Sequence, residues 1–329
     1  MSTGVATSTP IHASERALCE VSDPRLTEIS GMTASALHEG IMWVHNDSGD
    51  AARLYALDLD DCAVVGELLL RDQNKREIQA RDIEGIATGV DARGRAVLWV
   101  GDIGDNLDSW ESVAIYRVRE PKNLQKKFAR AIEYRFTYDD RPHNAEAILA
   151  DPRSPQVWVV TKQLASGSIY ALPLSMSQSR VNIARRVGPA GSLITDATMH
   201  PEGSGFILRD YFDASVYRGV PPGEEVEKFA LPAQIQGEAI AFTRDGDALI
   251  IMSENDSRVT EVSMEEVSEP SEDTSWQSGS SNEEPAEEAR INYWPLVLAV
   301  VGGSALVTGL IFMSRKPTTK TTGNKIKAE

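Results

Sequence analysis

The sequence predicts an all-β protein, and three observations support this prediction. Short runs of β-branched, aliphatic and aromatic residues alternate with turns rich in Gly, Asp, Asn and Pro over residues 17–263. Apolar residues in these runs follow a period of two, which excludes a helical repeat protein. A short motif also recurs at intervals of about 50 residues, and this indicates a repeat built from several strands.

The recurring motif has a polar or acidic residue, then a small residue, then an apolar one. Its copies read EISGM, DIEGI, NAEAI, TDATM and QGEAI, at residues 28–32, 82–86, 144–148, 195–199 and 236–240. Each copy is followed by a polar turn, a second apolar run, another turn and a third apolar run. Four of the third runs carry a tyrosine at the matching place, namely Tyr55, Tyr116, Tyr170 and Tyr217.

Repeats of about 40–50 residues made of several short strands are typical of β-propeller blades. Residues 17–263 therefore predict a single β-propeller of five blades, or of six if one repeat has diverged. Residues 17–21, ALCEV, precede the first motif and can supply the outer strand of the last blade, which would close the ring. Residues 1–16 predict a flexible N-terminal segment.

The first strand of each propeller blade lines the central channel, so equivalent residues of all the repeats should face one axis. We therefore expect Glu84, Glu146, Asp196 and Glu238 to converge at one mouth of the channel, with Ser30 as the fifth member. Asp82 precedes Glu84 in the same motif. Turns after the second strands open on the same face and add His45, Asp47, Asp102, Asp105, Asn106, Lys162, Arg209 and Glu254.

Several carboxylates held a few ångströms apart cannot all stay ionised without compensation. A bound cation, raised pKa values, or basic partners such as Lys162, Arg209 and Arg81 can provide it. Oxygen ligands suit Ca²⁺ first and Mg²⁺ second, and no His/Cys cluster has the spacing of a zinc site. The alternative is that each carboxylate accepts backbone N–H groups of a neighbouring loop and ties the blades together. The candidate metal ligands are Glu84, Glu146, Asp196, Glu238, Asp47 and Asp102, and the candidate ligand-binding residues are Lys162, Arg209 and His45.

No catalytic residue can be named from the sequence. It has no Gly-x-Ser-x-Gly elbow, no P-loop and no dinucleotide fingerprint. His45, His143 and His200 lie beside repeat motifs, but a histidine near a loop is more often a hydrogen-bonding residue than a general acid or base. The net charge of -16 argues against a nucleic-acid partner, because a phosphate-binding face needs clustered Lys and Arg.

The C-terminal part of the sequence predicts attachment to a membrane. Residues 264–291 are rich in Glu, Ser and Pro and predict an acidic, disordered stalk. Residues 292–314 predict one transmembrane helix, since no charged residue occurs between 293 and 313. The basic tail, 315–329, should lie in the cytoplasm, which places the propeller outside the cell membrane. We therefore expect a single-pass protein whose partners include the lipid bilayer.

Two features leave this placement open. Residues 1–18 have no apolar core that could serve as a signal peptide, so either the true start lies upstream or the helix is a tail anchor with the propeller inside the cell. Cys19 and Cys62 fit one disulfide in an oxidising compartment, but two buried free thiols fit equally well.

The stretches DIEGIA (82–87) and QGEAIAFTRDGDALIIMSEND (236–256) resemble the blade motifs of β-propeller phytases and related phytase-like, esterase-like propellers. The resemblance implies Ca²⁺ held by carboxylates at the channel mouth and phosphate esters attacked by metal-bound water. It implies that Glu84, Glu146 and Glu238 are metal ligands and that Lys162 and Arg209 hold the substrate's anion. The dense acidic run near the first blade of that family is missing here, where only HNDSGD (45–50) stands.

Two classes of function follow. The first is a membrane-anchored ectodomain that binds an anionic small molecule or a protein at the channel mouth, with Ca²⁺ as a structural ion. The second is a metal-dependent hydrolase of phosphoric or carboxylic esters. The sequence favours the first, because it offers no activated nucleophile and no complete set of metal ligands.

Overall fold

The computed structural model describes residues 11–47 and 49–266, and side chains for residues 14–263 of that range. Within these residues every helix or strand assigned is a β-strand. In chain order the strands are β1 Ile11–Glu20, β2 Ile29–Ala34, β3 Ile41–Asn46, β4 Arg53–Asp58, β5 Val64–Arg71, β6 Ile83–Val90, β7 Ala96–Asp102, β8 Val113–Arg119, β9 Phe128–Tyr138 and β10 Ala145–Ala150. They continue with β11 Val157–Thr161, β12 Ser168–Ala171, β13 Asn182–Pro189, β14 Asp196–Met199, β15 Gly205–Arg209, β16 Asp213–Arg218, β17 Glu224–Ala230, β18 Gly237–Phe242, β19 Ala248–Ser253 and β20 Arg258–Glu266.

The strands pair antiparallel in four-stranded groups that follow one another along the chain. The groups are β2-β3-β4-β5, β6-β7-β8-β9, β10-β11-β12-β13, β14-β15-β16-β17 and β18-β19-β20-β1. The innermost strands of these groups pack against one another in a closed cycle, from β2 through β6, β10, β14 and β18 back to β2. Four-stranded antiparallel groups arranged around an axis define a β-propeller, so the predicted all-β propeller fold is confirmed.

The hydrophobic core lies between neighbouring groups. Five buried clusters each join side chains from two consecutive groups, and the last joins the closing group to the first. Trp43, Trp99 and Trp158 occupy matching places in the second strands of three groups, and all three are buried. Burying a large apolar side chain contributes about 1.5–3 kcal/mol, so these contacts hold the groups together around the ring.

The first strand of the chain closes the ring. β1 pairs antiparallel with β20, as predicted for residues 17–21, but it begins at Ile11, inside the segment 1–16 that was predicted to be flexible. The side chains of Ser14 to Ala17 are exposed, so no apolar pattern marks this part of the strand. Its backbone pairing with β20 fixes it instead, and that pairing cannot be read from side-chain type. β20 likewise runs to Glu266, beyond the predicted boundary at 263.

A disulfide also closes the ring. Cys19 in β1 and Cys62 in the turn between β4 and β5 are bonded, with their Cα atoms 5.7 Å apart. The bond joins the outer strand of the closing group to the first group. Of the two alternatives left open by the sequence, the structure has the disulfide.

Outer strands of neighbouring groups also pair, which the sequence did not predict. Residues 69–71 of β5 pair in parallel with 128–130 of β9, and residues 136–138 of β9 pair in parallel with 182–184 of β13. These short ladders join the first three groups into one continuous sheet of twelve strands.

Between residues 11 and 266, with Ser48 aside, no helix is long and apolar enough to cross a membrane. The predicted stalk from 267 onwards, the predicted transmembrane helix at 292–314 and the basic tail at 315–329 lie outside the described residues.

Candidate functional site

A β-bulge marks the motif residue at the start of four inner strands. The pairing register of β2, β6, β10 and β18 with their neighbours shifts at Ser30, Glu84, Glu146 and Glu238, respectively. A bulge leaves one residue out of the ladder and changes the direction of its side chain. Asp196 is the exception, because β14 pairs with β15 in unbroken register.

Three carboxylates from two groups meet at this end of the channel. Oxygen atoms of Asp47, Asp82 and Glu84 all lie within 4.8 Å of one another. The hydroxyl of Ser30 donates to Glu84 Oε2 at 3.0 Å, and the amide of Asn106 donates to Asp82 Oδ2 at 3.4 Å. Asp82 Oδ1 is buried and has no donor within hydrogen-bonding geometry in the described part of the chain, and the carboxyl of Asp47, with which Asp82 can share a proton, lies beside it. An acceptor buried without a partner costs free energy, so this oxygen faces a place where a donor or a cation would be stabilised.

Further carboxylates continue this group around the ring. Glu146 Oε2 lies 3.4 Å from Lys162 Nζ, and Glu146 Oε1 accepts a hydrogen bond from the Asn144 amide at 2.9 Å. Glu238 Oε1 accepts from the Gln236 amide at 3.1 Å, whereas Glu238 Oε2 is buried with no partner among the described residues. We call the set Asp47, Asp82, Glu84, Glu146, Glu238 and Glu254 the carboxylate mouth.

The electrostatics of the carboxylate mouth favour protonation or a bound cation. Burial, together with the nearby carboxylates of Asp47 and Glu146, raises the pKa of Asp82 to about 8. The same causes raise the pKa of Glu84 well above its usual value. Burial raises the pKa of Glu238 to about 7, and burial with the charge of Glu238 raises that of Glu254 to about 8. Charges this close repel one another in a medium of low dielectric constant, so a cation would restore the ionised forms.

Two basic residues accompany the carboxylates. Burial disfavours the charged form of Lys162, but the carboxylates of Glu146 and Glu238 outweigh this and raise its pKa above the usual value. Arg209 is fully buried, and it donates to Ala239 O at 2.9 Å and to Gln234 Oε1 at 3.0 Å. Burial lowers the pKa of Arg209 to about 10, which leaves it charged at neutral pH. Arg209 therefore joins β15 to β18, and Lys162 forms an ion pair with a carboxylate of the mouth, Glu146.

Asp102 and Asp196 accept backbone hydrogen bonds. Asp102 Oδ1 accepts the N–H groups of Arg81 and Asp82 at 2.9 and 2.8 Å. The two oxygens of Asp196 accept the N–H groups of Ala197 and Ile240, each at 2.8 Å, which ties β14 to β18. Both were predicted as metal ligands, but their contacts fit the alternative in which a carboxylate ties neighbouring segments together.

The three histidines lie in different surroundings. His45 is buried, its Nδ1 lies 3.0 Å from Asn46 O, and burial lowers its pKa to about 4, so its ring is neutral. His143 Nε2 lies 2.8 Å from the Tyr170 hydroxyl and 3.0 Å from Asp140, away from the carboxylate mouth. His200 packs against Phe242, whose strand ends at the other end of the channel. None of these contacts pairs a histidine with the carboxylates of the mouth.

The opposite end of the channel has a different chemistry. A cavity of about 220 Å³ opens there, between the carboxyl ends of the inner strands. Ala, Thr, Pro and Met side chains line most of it, with Arg244 and His200, and no acidic residue is among those that line it. The lining of this cavity therefore contrasts with the carboxylate mouth.

Sequence reasoning found most of the carboxylate mouth but left Asp82 out of the proposed metal ligands. Asp82 stands two residues before Glu84 in the same motif. A second carboxylate so close in the chain to a predicted ligand was the available signal. The hydrogen bonds of Asp196 to the backbone could not be predicted from the sequence, because they depend on the absence of a bulge in β14.

Neither a protein-family model nor a curated protein matches the sequence. Among solved structures, it is similar to glutaminyl cyclase from Myxococcus xanthus, with 11% identity over 80% of this chain and 100% of that chain and a TM-score of 0.47. For the PQQ-bound aldose sugar dehydrogenase from Streptomyces coelicolor the identity is 11%, over 78% of this chain and 100% of that chain, with a TM-score of 0.45. For the WD40 repeats of RRP9 the identity is 9%, over 78% of this chain and 100% of that chain, with a TM-score of 0.43.

At this level of similarity the fold assignment rests on the strand pairing of this chain. The comparisons give no support to membership of the phytase-like family, which stays an expectation from the short motifs.

Proposed function

We propose that this protein is a five-bladed propeller that binds a ligand at the mouth of its channel through a divalent cation. Asp47, Asp82 and Glu84 would hold the ion. The observation that carries the proposal is their close approach, within 4.8 Å, together with the unpartnered and buried oxygen of Asp82. A cation there would satisfy that oxygen and compensate the mutual repulsion of the three carboxylates.

The donor set fits Ca²⁺ better than other ions. The three side chains of the cluster, Asp47, Asp82 and Glu84, all offer carboxylate oxygens, whereas the neighbouring Asn106 turns its amide N–H group to Asp82 and its oxygen to Asn144. Ca²⁺ accepts six to eight oxygen ligands in flexible geometry, whereas Mg²⁺ demands a near-ideal octahedron. Carboxylate and amide oxygens do not select zinc over these hard ions.

The setting we propose is the outer side of a cell membrane. The disulfide between Cys19 and Cys62 supports it, because disulfides form and persist in oxidising compartments. The uncharged stretch 293–313 followed by a basic tail supports a single membrane anchor with a cytoplasmic C-terminus. Digestion of intact cells with an external protease tests this, since the propeller should be cleaved only if it lies outside.

Calorimetric titration of the full chain in detergent with Ca²⁺ and with Mg²⁺ tests the cation site. We expect saturable Ca²⁺ binding that is lost in the double variant Asp82→Asn/Glu84→Gln. The matched control is Asp245→Asn, which removes an exposed carboxylate from the turn at the opposite end of the channel and should bind Ca²⁺ like the wild type. Equal Ca²⁺ binding by wild type and double variant would refute the site.

A second candidate function is a metal-dependent ester hydrolase. One observation favours it, namely that the ammonium of Lys162 lies beside the carboxylate mouth, where it could hold the anionic part of a phosphoric or carboxylic ester. A metal ion supplies the nucleophile in such enzymes by lowering the pKa of its bound water. Turnover of a chromogenic phosphate ester and a chromogenic acetate ester, with Ca²⁺ and with EDTA, tests it. Absence of Ca²⁺-dependent turnover on both would remove this candidate for those substrates.

A further inference from the structure

Large apolar side chains stand exposed on the loops around the carboxylate mouth. Three come from the connections after β7, β11 and β15, and the fourth from the connection that leads into β18. They are Leu107, Leu164, Phe212 and Ile235, with exposed fractions of 85%, 74%, 41% and 62%, respectively. We call these four residues the apolar rim. Leaving such side chains in water costs free energy, and a partner that covers them would recover it.

Chain neighbours connect the apolar rim to the mouth. Leu107 follows Asn106, whose amide donates to Asp82. Ile235 precedes Gln236, whose amide donates to Glu238.

The other two residues of the apolar rim also lie close in the chain to residues at the mouth. Leu164 lies two residues after Lys162, which pairs with Glu146. Phe212 follows Tyr211, whose ring centre lies 5.2 Å from Lys162 Nζ. Each rim residue therefore lies within two residues of a side chain that contacts the mouth or Lys162, so the apolar rim lies at the end of the channel where the buried carboxylates meet.

The acidic part of this face calls for more positive charge than one metal ion brings. Glu238 Oε2 is buried, unpartnered within the described residues, and on the opposite side of the ring cycle from β6 and β10. The mouth has six carboxylates against the basic groups of Lys162 and Arg209. A divalent ion at Asp47, Asp82 and Glu84 leaves Glu238 Oε2 without a partner among the described residues, and a cationic group that reached this oxygen would favour the ionised forms of Glu238 and Glu254.

We propose that the ligand of this face is a polypeptide segment that lays apolar side chains on the apolar rim and extends one lysine or arginine towards Glu238 and Glu254. This inference rests on the proposed function, since it names the ligand class of the same mouth. Charge complementarity selects the basic residue, and the rim selects apolar neighbours on either side of it. Because the rim residues come from four different connections around the ring, a segment of several residues covers them better than a small amine.

A peptide library tests the proposal without knowledge of the natural partner. Random peptides displayed on phage are selected on the full chain in detergent with Ca²⁺, and the enriched sequences are read. We expect enrichment of one basic residue flanked by aliphatic or aromatic residues. The best peptide is then synthesised with a fluorescent label, and its Kd is measured by anisotropy.

Two sets of variants locate the binding. The rim variant Leu107→Ser/Leu164→Ser/Ile235→Ser should raise the Kd of the peptide about tenfold, as expected when buried apolar contacts of an interface are removed. The control Leu174→Ser/Val220→Ser changes side chains that are also exposed but lie on connections at the opposite face, and it should leave the Kd within about twofold.

The basic residue is tested from both sides of the contact. Replacing it in the peptide by norleucine, and replacing Glu238 by Gln in the protein, should each weaken binding about tenfold, in line with the loss of a charged hydrogen bond. The combined change should cost little more than either change alone, because both remove the same pair.

The outcomes separate this proposal from the cation site. Enrichment of no peptide, of peptides without a basic residue, or of peptides that bind the rim variant as well as the wild type would overturn the proposal. Ca²⁺ titration of the rim variant should match the wild type, because no rim residue is a proposed ion ligand. If the wild type binds Ca²⁺ but no peptide is enriched, only the polypeptide ligand is rejected. If the wild type does not bind Ca²⁺, the proposed function is rejected.

Discussion

The hydroxyl of Ser30 lies 3.0 Å from Glu84 Oε2, although 54 residues separate them in the chain. Both residues occupy the bulge at the start of an inner strand, one in β2 and the other in β6. The hydrogen bond fixes one oxygen of Glu84, whose carboxylate lies within 4.8 Å of those of Asp47 and Asp82. The same motif position thus supplies an orienting group in one repeat and a candidate ion ligand in the next.

Removing negative charge from the mouth should stabilise the protein when no cation is present. In Asp82→Asn/Glu84→Gln the buried repulsion is relieved, so at pH 8 in EDTA we expect a free energy of unfolding about 1 kcal/mol higher and a Tm about 2–4 °C higher. Ca²⁺ at a hundredfold excess over Kd should raise the Tm of the wild type, by an amount equivalent to about 2.7 kcal/mol, but not that of the variant. Differential scanning calorimetry measures both. A variant that is less stable than the wild type in EDTA would contradict the electrostatic argument.

The stability of the metal-free protein should fall as the pH rises from about 7 to 8. Asp82, Glu238 and Glu254 have folded-state pKa values raised to about 8, 7 and 8, so the folded state holds protons that the unfolded chain has already released. Stability is then lost as the pH rises through the folded pKa values. His45, whose pKa is lowered to about 4, is neutral in both states above pH 7 and does not oppose this trend.

Tm measured across this pH range in EDTA and in Ca²⁺ checks the sign of the slope. Ca²⁺ competes with protons for the same oxygens, so the decrease should be smaller or absent when it is present. A Tm in EDTA that rises between pH 7 and 8 would show that these carboxyl groups are not protonated in the folded protein.

Asp196→Ala should destabilise the protein without changing Ca²⁺ binding. The substitution leaves the buried N–H groups of Ala197 and Ile240 without acceptors, and we expect a loss of about 3 kcal/mol. Urea unfolding measures the loss, and calorimetric titration of the folded variant measures Ca²⁺ binding. Asp196→Asn, which keeps one acceptor oxygen, should lose less. Weakened Ca²⁺ binding in the Asn variant would restore Asp196 as an ion ligand.

Breaking the disulfide should loosen the closure of the ring. The bond closes a sequence separation of 43 residues, for which the chain-entropy estimate is about 4 kcal/mol. Cys19→Ser/Cys62→Ser should therefore lower the Tm by about 10 °C, and reducing agent should lower the Tm of the wild type but not of the variant. Hydrogen exchange should rise first in β1 and β20. Unchanged protection of β1 would mean that backbone pairing alone holds the strand.

The repeat pattern could be predicted because every inner, second and third strand carries its own apolar signal. Trp43, Trp99 and Trp158 recur at the same place in the second strands, and all three are buried. The parallel ladders between β5, β9 and β13 could not be predicted, because they depend on how far the outer strands extend and on the angle between groups. The start of β1 at Ile11 could not be predicted either, because the side chains of Ser14 to Ala17 are exposed and show no apolar pattern.

The candidate site could likewise be predicted only in part from the sequence. Convergence of Glu84, Glu146 and Glu238 at one mouth follows from the repeat, and their bulges place them there. Whether a given carboxylate faces the channel or accepts backbone N–H groups depends on local register, and for this reason Asp102 and Asp196 could not be separated from the others. The residue types are the same in both roles.

The direction of β20 determines at which end of the channel this strand finishes. β20 starts at Arg258, beside the loops that carry the acidic face, and runs away from them to Glu266. The last described residue of the strand, Glu266, therefore lies at the opposite end of the channel from the carboxylate mouth.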